Sequence, residues 1–485
     1  MSSPIDVRQD TRFFGHPRGL ANLFGVEMWE RFSYYGMQGI LAIYLYYSAE
    51  KGGLGVDQSA ALGIVGAYGG TVYLSTVVGA WIADRLLGSE RTLFYSAILV
   101  MIGHVALAAL PGLTGVGVGL ACVALGSGGL KGNATSVVGT LYAEGDERRD
   151  AGFTIFYMGV NLGGFIGPLL TGLAQQSGGF HLGFGLAALG MALGLIQYSV
   201  GRKNLGARAS EVPNPLPVKQ RGLVVGFAVL IIAAVAALIV SGVVTPDNLA
   251  DVVIYVVVVI SVVYFVAILS SKKITSDERS RVLSFIPMYI ASAAFFSLYQ
   301  QQSTVVSVYS DQRLDRDLFG WTMPVSWVNS INPVFIIVFA PVFAALWTKL
   351  GPKQPSTPMK FVLGTILMGA AFLLFLPMAH TGANGSPLIA LAGILFVFTV
   401  AELMLSPVGL SLSTKLAPKA FRTQMVALNF LSVSLGTAMS GKLAQSYDPK
   451  NEVPYFSLIG GTAIVVGVVL LAMIPFIRRL MRGVH

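Results

Sequence analysis

"GVEMWERFSYYG", residues 25–36, sets two glutamates, an arginine and two tyrosines inside an otherwise apolar run. The run from Leu20 to Ser48 is long enough for a helix to cross a hydrocarbon core about 30 Å thick. An ionisable side chain at the bilayer centre costs about 2.5–3.5 kcal/mol on insertion scales, so such groups pair or line a water-filled cavity. Glu27, Glu30, Arg31, Tyr34 and Gln38 recur at helical spacings of three and four and share one face. That face cannot look at lipid.

The rest of the chain repeats the apolar pattern. It has 485 residues, 54% hydrophobic and 11% charged, against about 25% charged in soluble domains. Because lipid leaves backbone groups no water to bond, the expectation is an all-α polytopic membrane protein with fourteen transmembrane helices. The polar start, MSSPIDVRQDTRFFGHP, lacks the pattern of a cleaved signal peptide, so the first span is expected to be its own signal. A lone cysteine, Cys122, excludes an internal disulfide and a cysteine-based metal site. No cofactor is expected. Of the 32 Lys and Arg, about 25 fall in tails and loops on one side of the membrane and about 5 on the other. The net charge of +9 therefore speaks for orientation, with both termini cytoplasmic, and not for nucleic acid. Arg31 and Lys131 remain within spans.

Residues 201–221, with "EVPNPLP", read as a linker. The two runs after it, 223–243 and 249–270, have almost no polar residues after their first turns and could face lipid all round. They read as a peripheral hairpin. The division is 1–200 for a first six-helix half, 201–280 for linker and hairpin, and 281–485 for a second half. A two-half transporter holds its substrate near midplane between the halves.

Two more charges lie deep in spans. Lys131, in "GSGGLKGN", is near the middle of the fourth span, and Glu402, in "TVAELMLSP", near the middle of the tenth once the hairpin is set aside. A cation and an anion at counterpart positions suit a zwitterion. The same charges could instead be structural ion pairs between helices. His104 lies deep within a span. Asn161 and Asn332, beside Gly163, Gly164 and Pro333, could bind a peptide-like amide or bond across helices. With no HExxH, no GxSxG and no cysteine nucleophile, an intramembrane enzyme is not expected.

At these residues the sequence resembles the proton-coupled oligopeptide transporter family, the peptide branch of the major facilitator superfamily. "EMWERFSYYG" resembles its ExxERFxYYG element, "FYMGVNLGG" its FYxxINxG signature, and "GAWIADRLLG" the superfamily's loop between spans two and three. "SWVNSINPVF" and "ELMLSPVGLSLSTKLAPKAF" also read as this family, and the extra hairpin is what its prokaryotic members show. The resemblance implies a 6+6 helix arrangement and symport of di- and tripeptides with protons by alternating access. It would give the peptide carboxylate to Arg31 and Lys131 and the amino terminus to Glu402. Tyr34, Tyr35, Tyr73, Asn161 and Asn332 would line the site, Glu27 and Glu30 would couple protons with Arg31, and Asp84 and Arg85 would act as a cytoplasmic loop hinge.

The sequence departs from the family pattern in two places. The Arg and acidic residue that pair as an outer gate are replaced by Gln38 and Gln300. The frequent Trp-Phe of span eleven reads Asn429-Phe430, which changes a wall of the substrate site. The expected protein is a monomer in the inner membrane of a prokaryote. A relative carrying nitrate or a modified amino acid, or a non-transporting peptide receptor, stands as the alternative; an anion carrier would have little use for Glu402.

Overall fold

The computed structural model describes residues 9–143, 145–379 and 381–483. The expected cytoplasmic ends, residues 1–8 and 484–485, lie outside these. In chain order the helices are α1 (Arg18–Tyr46), α2 (Gln58–Ile82), α3 (Ser89–Ala109), α4 (Gly112–Thr140), α5 (Arg148–Gly178), α6 (Phe180–Gly201), α7 (Val218–Val240) and α8 (Leu249–Leu269). They continue as α9 (Ser276–Tyr299), a short α10 (Val305–Gln312), α11 (Ile331–Leu350), α12 (Thr357–Leu373), α13 (Leu388–Lys415), α14 (Arg422–Ala444) and α15 (Glu452–Leu480). Local chemistry sets several of their starts. Pro111, Pro217 and Pro387 stand at the entries of α4, α7 and α13, where a missing N–H is no loss. Thr275 and Glu278 close a reciprocal capping box at α9.

Among the described residues, twelve helices are long and apolar enough to cross a membrane. The 29-residue α1 and the 23-residue α14 are not among them. Composition explains this: α1 carries Glu27, Glu30, Arg31 and Gln38, and α14 carries Gln424, Asn429 and a series of serines and threonines. The only paired strands among the described residues are a two-residue hairpin, Asp317–Leu318 with Trp321–Thr322.

The chain forms two compact units, Met1–Met37 with Leu74–Val252, and Gln38–Tyr73 with Val253–His485. Helices α1, α2 and α8 each contribute to both. In the first unit α3 packs on α4 and α6, and α5 on α6, around fully buried Val100, Val123, Phe184 and Tyr198. In the second, α12 packs on α13 and α15, and α9 on α14. Aromatic rings fill that core: Phe375 and Phe456 stack with centroids 4.5 Å apart, and Tyr309 meets Phe375 edge-on at 4.9 Å. Within this unit a Cβ on Gly66 would collide with the backbone of Gly441, so α2 and α14 approach as closely as two helices can.

The two helices after the linker differ from each other. Helix α7 buries none of its residues, as its apolarity after the first turn allows. Helix α8 does not face lipid all round: Ala250, Val253, Val257, Ser261 and Ile268 are buried, at the three-, four- and seven-residue spacings of one helical stripe. The Ser261 hydroxyl bonds the Tyr289 hydroxyl of α9 at 2.7 Å. One serine in a valine-rich run is too weak a signal to mark a packed face.

Candidate functional site

In the first unit, one turn of α1 gathers the charges. Arg31 Nε lies 3.0 Å from Glu27 Oε1, and its Nη2 lies 2.6 Å from Glu30 Oε2. All three side chains are at least 95% buried, so each relies on the others in place of water. Ser127 of α4 donates a hydrogen bond of 2.5 Å to the other Glu30 oxygen. Four residues further along α4, half-buried Lys131 places its Nζ 5.2 Å from the centre of the Tyr34 ring. Arg31 sits 5.4 Å from the same ring, and Tyr35 meets Tyr34 edge-on at 5.2 Å. Two cations thus stand near one aromatic ring. Two carboxylates and two cations balance, while Lys131 keeps partial exposure.

Helix α5 can lie close against this turn because it carries glycine. A Cβ at Gly163 would meet the Met28 carbonyl, the Phe32 amide and the Arg31 Cβ. Asn161, two residues before it, does not join the charges; its amide donates to the Tyr157 carbonyl at 3.0 Å within its own helix.

In the second unit, Glu402 sits half-buried in the middle of α13. Buried Asn332, in the first turn of α11, donates to Glu402 Oε2 at 3.4 Å and to the Thr399 hydroxyl at 3.2 Å. The Tyr299 side chain, at the end of α9, also hydrogen-bonds Glu402. No basic side chain forms an ion pair with Glu402 among the described contacts. This carboxylate is held by neutral donors and partly open, unlike Glu27 and Glu30. Asn429 and Tyr73, on α14 and α2, are both half-buried. Asn429 Oδ1 lies where a Cβ at Gly409 of α13 would come within 3.1 Å of it.

Gln38 is buried in α1, and Gln300 is half-buried at the start of a 3-10 turn, Gln300–Ser303. The neighbour Gln301 is fully buried and accepts a bond of 2.7 Å from the Tyr455 hydroxyl. Asp84 and Arg85 fall in a π-helical turn, Ala83–Leu87, that ends α2. Their carbonyls accept the amides of Asn214 and Leu216 at 2.9 and 2.8 Å, strapping the proline-containing linker to this turn.

Sequence reading passed over Ser127, Thr399 and Tyr299. Ser127 lies in a glycine-rich stretch that reads as close packing, although it is one turn before Lys131. Thr399 is three residues before Glu402, on the same face. Tyr299 stands directly before Gln300. Proximity to a charged residue at i±3 or i±4 is the signal that finds the first two.

Residues 90–459 match the model of the POT family. The chain is 45% identical over 476 residues to the uncharacterized transporter YclF of Bacillus subtilis, covering 97% of this chain and 96% of that one. It is 41% identical over 492 residues to a di-/tripeptide transporter of Lactococcus lactis, covering 99% of both. A crystal structure of a peptide transporter POT in complex with sulfate superposes with a TM-score of 0.93 at 46% identity, covering 99% of this chain and 100% of that one. With so much of its length shared, and with its paired charges on α1, the chain belongs to the POT family.

Proposed function

We propose that this chain is a proton-coupled symporter that imports di- and tripeptides by alternating access. It is a multi-pass protein of a bacterial inner membrane, monomeric, with both termini cytoplasmic. Its fourteen crossing helices are arranged as 6+6, with α7 and α8 inserted, so α1 and α14 also cross. The single observation that carries the reading is the asymmetry of charge. Lys131 is the partly open cation of a cluster whose two carboxylates and two cations balance, and Glu402 is a partly open carboxylate with only neutral donors. A zwitterionic peptide brings an ammonium to Glu402 and a carboxylate to the exposed side of Lys131. The kinship with a di-/tripeptide transporter over nearly the whole chain supports it.

In this reading Arg31 and Lys131 receive the peptide carboxylate, and Glu402 the amino terminus. Tyr34, Tyr35, Tyr73, Asn161, Asn332 and Asn429 line the site. Glu27 and Glu30 exchange the coupling proton with Arg31 as partner, since neutralising one carboxylate frees the guanidinium for substrate. Gln38 and Gln300 occupy an outer gate that does not titrate, and Asp84 with Arg85 forms the cytoplasmic hinge. The chain moves its substrate unchanged and is no enzyme.

The test is uptake of labelled dialanine into proteoliposomes with and without an inward proton gradient. Accumulation only with the gradient is expected, competed by unlabelled peptides and not by nitrate. Competition by nitrate, or gradient-independent binding without uptake, would sink the proposal.

A further inference from the structure

Where α11 and α13 end and α12 begins, the second unit holds a cavity of about 630 Å³ whose lining includes Trp347, Ser356, Lys360, Ser411, Lys415 and Arg478. Its described lining has three cations and no carboxylate. Lys360 is nine-tenths buried, yet what holds its Nζ is neutral: the Gln354 side-chain oxygen at 2.8 Å and the Trp347 ring, centred 4.3 Å away. Ser356 precedes the first turn of the 17-residue α12 and makes no capping bond. Its hydroxyl is buried without a hydrogen-bond partner. The amide end of a helix carries partial positive charge and favours an anion.

We propose that this cavity binds a phosphate-bearing anion, the headgroup of an anionic phospholipid. Phosphate chemistry fits lysine and arginine donors, a hydroxyl and a helix amino end together. A lipid is favoured as its source by depth. The lining comes from the ends of four helices, α11, α12, α13 and α15, each apolar enough to cross a membrane. Trp347 is of the residue type that settles at headgroup level, and Pro352, Pro355 and Val408 supply apolar wall for the glycerol and first methylenes. Basic pockets between helices at a membrane face are recognised headgroup sites. This site is separate from the peptide residues: Lys415 lies thirteen residues beyond Glu402 on α13, about 20 Å at 1.5 Å per residue.

The full-length protein, purified in detergent, is to be titrated separately with phosphatidylglycerol, phosphatidylcholine and sodium phosphate. Retained lipid is read by native mass spectrometry and stability by thermal unfolding. Phosphatidylglycerol should be retained and raise the melting temperature, and phosphatidylcholine should do neither. Lys415→Gln and Arg478→Gln should each weaken retention about fivefold, as expected for one cation at an anionic surface. Lys415→Arg and Arg478→Lys should restore it, which a merely structural defect would not allow. Equal retention of the two lipids, or retention unchanged in the double variant Lys415→Gln with Arg478→Gln, overturns the proposal. Stabilisation by sodium phosphate alone, lost in that variant, would overturn lipid as the occupant and leave the soluble anion.

Discussion

Tyr46 and Asp311 are joined by a hydrogen bond of 2.6 Å from the tyrosine hydroxyl to Asp311 Oδ2, and Tyr47 donates to Oδ1 of the same carboxylate at 2.5 Å. Arg316 stands 3.6 Å from Oδ1. One carboxylate thus clasps the end of α1 to α10, beyond the place where the two glutamines stand. Charge-assisted bonds are each worth about 1.5–3 kcal/mol net. Asp311→Asn should therefore raise amide hydrogen exchange over residues 38–47 and 305–312 by at least about tenfold. The double change Tyr46→Phe with Tyr47→Phe should reproduce it. Exchange unchanged in both variants would mean that packing, not the clasp, holds these segments.

Lys131→Ala and Glu402→Ala should each abolish dialanine uptake in protein that remains folded and monodisperse. An N-acetylated dipeptide, lacking the ammonium, should bind wild type at least about tenfold worse, the loss expected for one charge-assisted hydrogen bond. Glu402→Ala should bind blocked and free peptides alike. Equal wild-type affinity for both peptides removes Glu402 as the amine's partner.

Glu30→Gln, with its Ser127 bond and its Arg31 pair altered together, should stop gradient-driven accumulation while peptide exchange across the membrane continues. Breaking a buried pair costs about 3–5 kcal/mol, so thermal stability must be followed alongside. If Glu27→Gln and Glu30→Gln both still concentrate peptide, the coupling proton is carried elsewhere, and Glu402→Gln is the variant to measure next.

Gly163→Ala forces α5 away from the turn bearing Arg31. Overpacking of this kind costs about 1–3 kcal/mol. A lower melting temperature and weakened dialanine binding are expected together, because the added methyl displaces the Arg31 Cβ. A variant with wild-type melting and binding would show that α5 does not set the position of Arg31.

Acid should loosen the first unit before α1 begins. His16 is buried with its Nδ1 2.9 Å from the Tyr142 hydroxyl, and burial, with Arg148 nearby, lowers its pKa. Its contribution is present above the unfolded value of about 6.5 and erodes as pH falls below it. Asp10 is held well below the ordinary carboxylate range, first by its bond to the Arg12 side chain and further by the amides of Arg18 and Arg12. That stabilisation is present above about pH 4 and lost as pH falls through the depressed value. Hydrogen exchange near residues 10–20 should rise in two steps, and His16→Phe should remove only the first. A single step in wild type contradicts this account.

Much of the architecture is legible in the sequence because water and lipid reward different residues. Long apolar runs mark helices, and Glu27, Glu30 and Arg31 on one α1 face announce a cluster, since three ionisable groups that deep must meet each other. Lys131 could be picked out by charge alone, but not its seat on the Tyr34 ring, which depends on how α4 registers against α1. The Tyr46–Asp311 clasp joins residues 265 apart in sequence, a pairing that no local spacing encodes. Asn161 shows the opposite limit: a polar residue in a membrane helix can spend its amide on its own backbone. The packed stripe of α8 is hidden because valine and isoleucine suit lipid and protein neighbours equally.

Helix α7 has a different kind of dependence on its surroundings. With no residue buried against the protein along its 23 positions, its height is set by the solvent it floats in and not by neighbours. A bilayer thinner than its apolar length would tilt it, at a cost of fractions of a kcal/mol per Å of mismatch, and the tilt would pull on the strapped linker at Asn214 and Leu216. Bilayer thickness is thereby given a mechanical lead to the turn that ends α2.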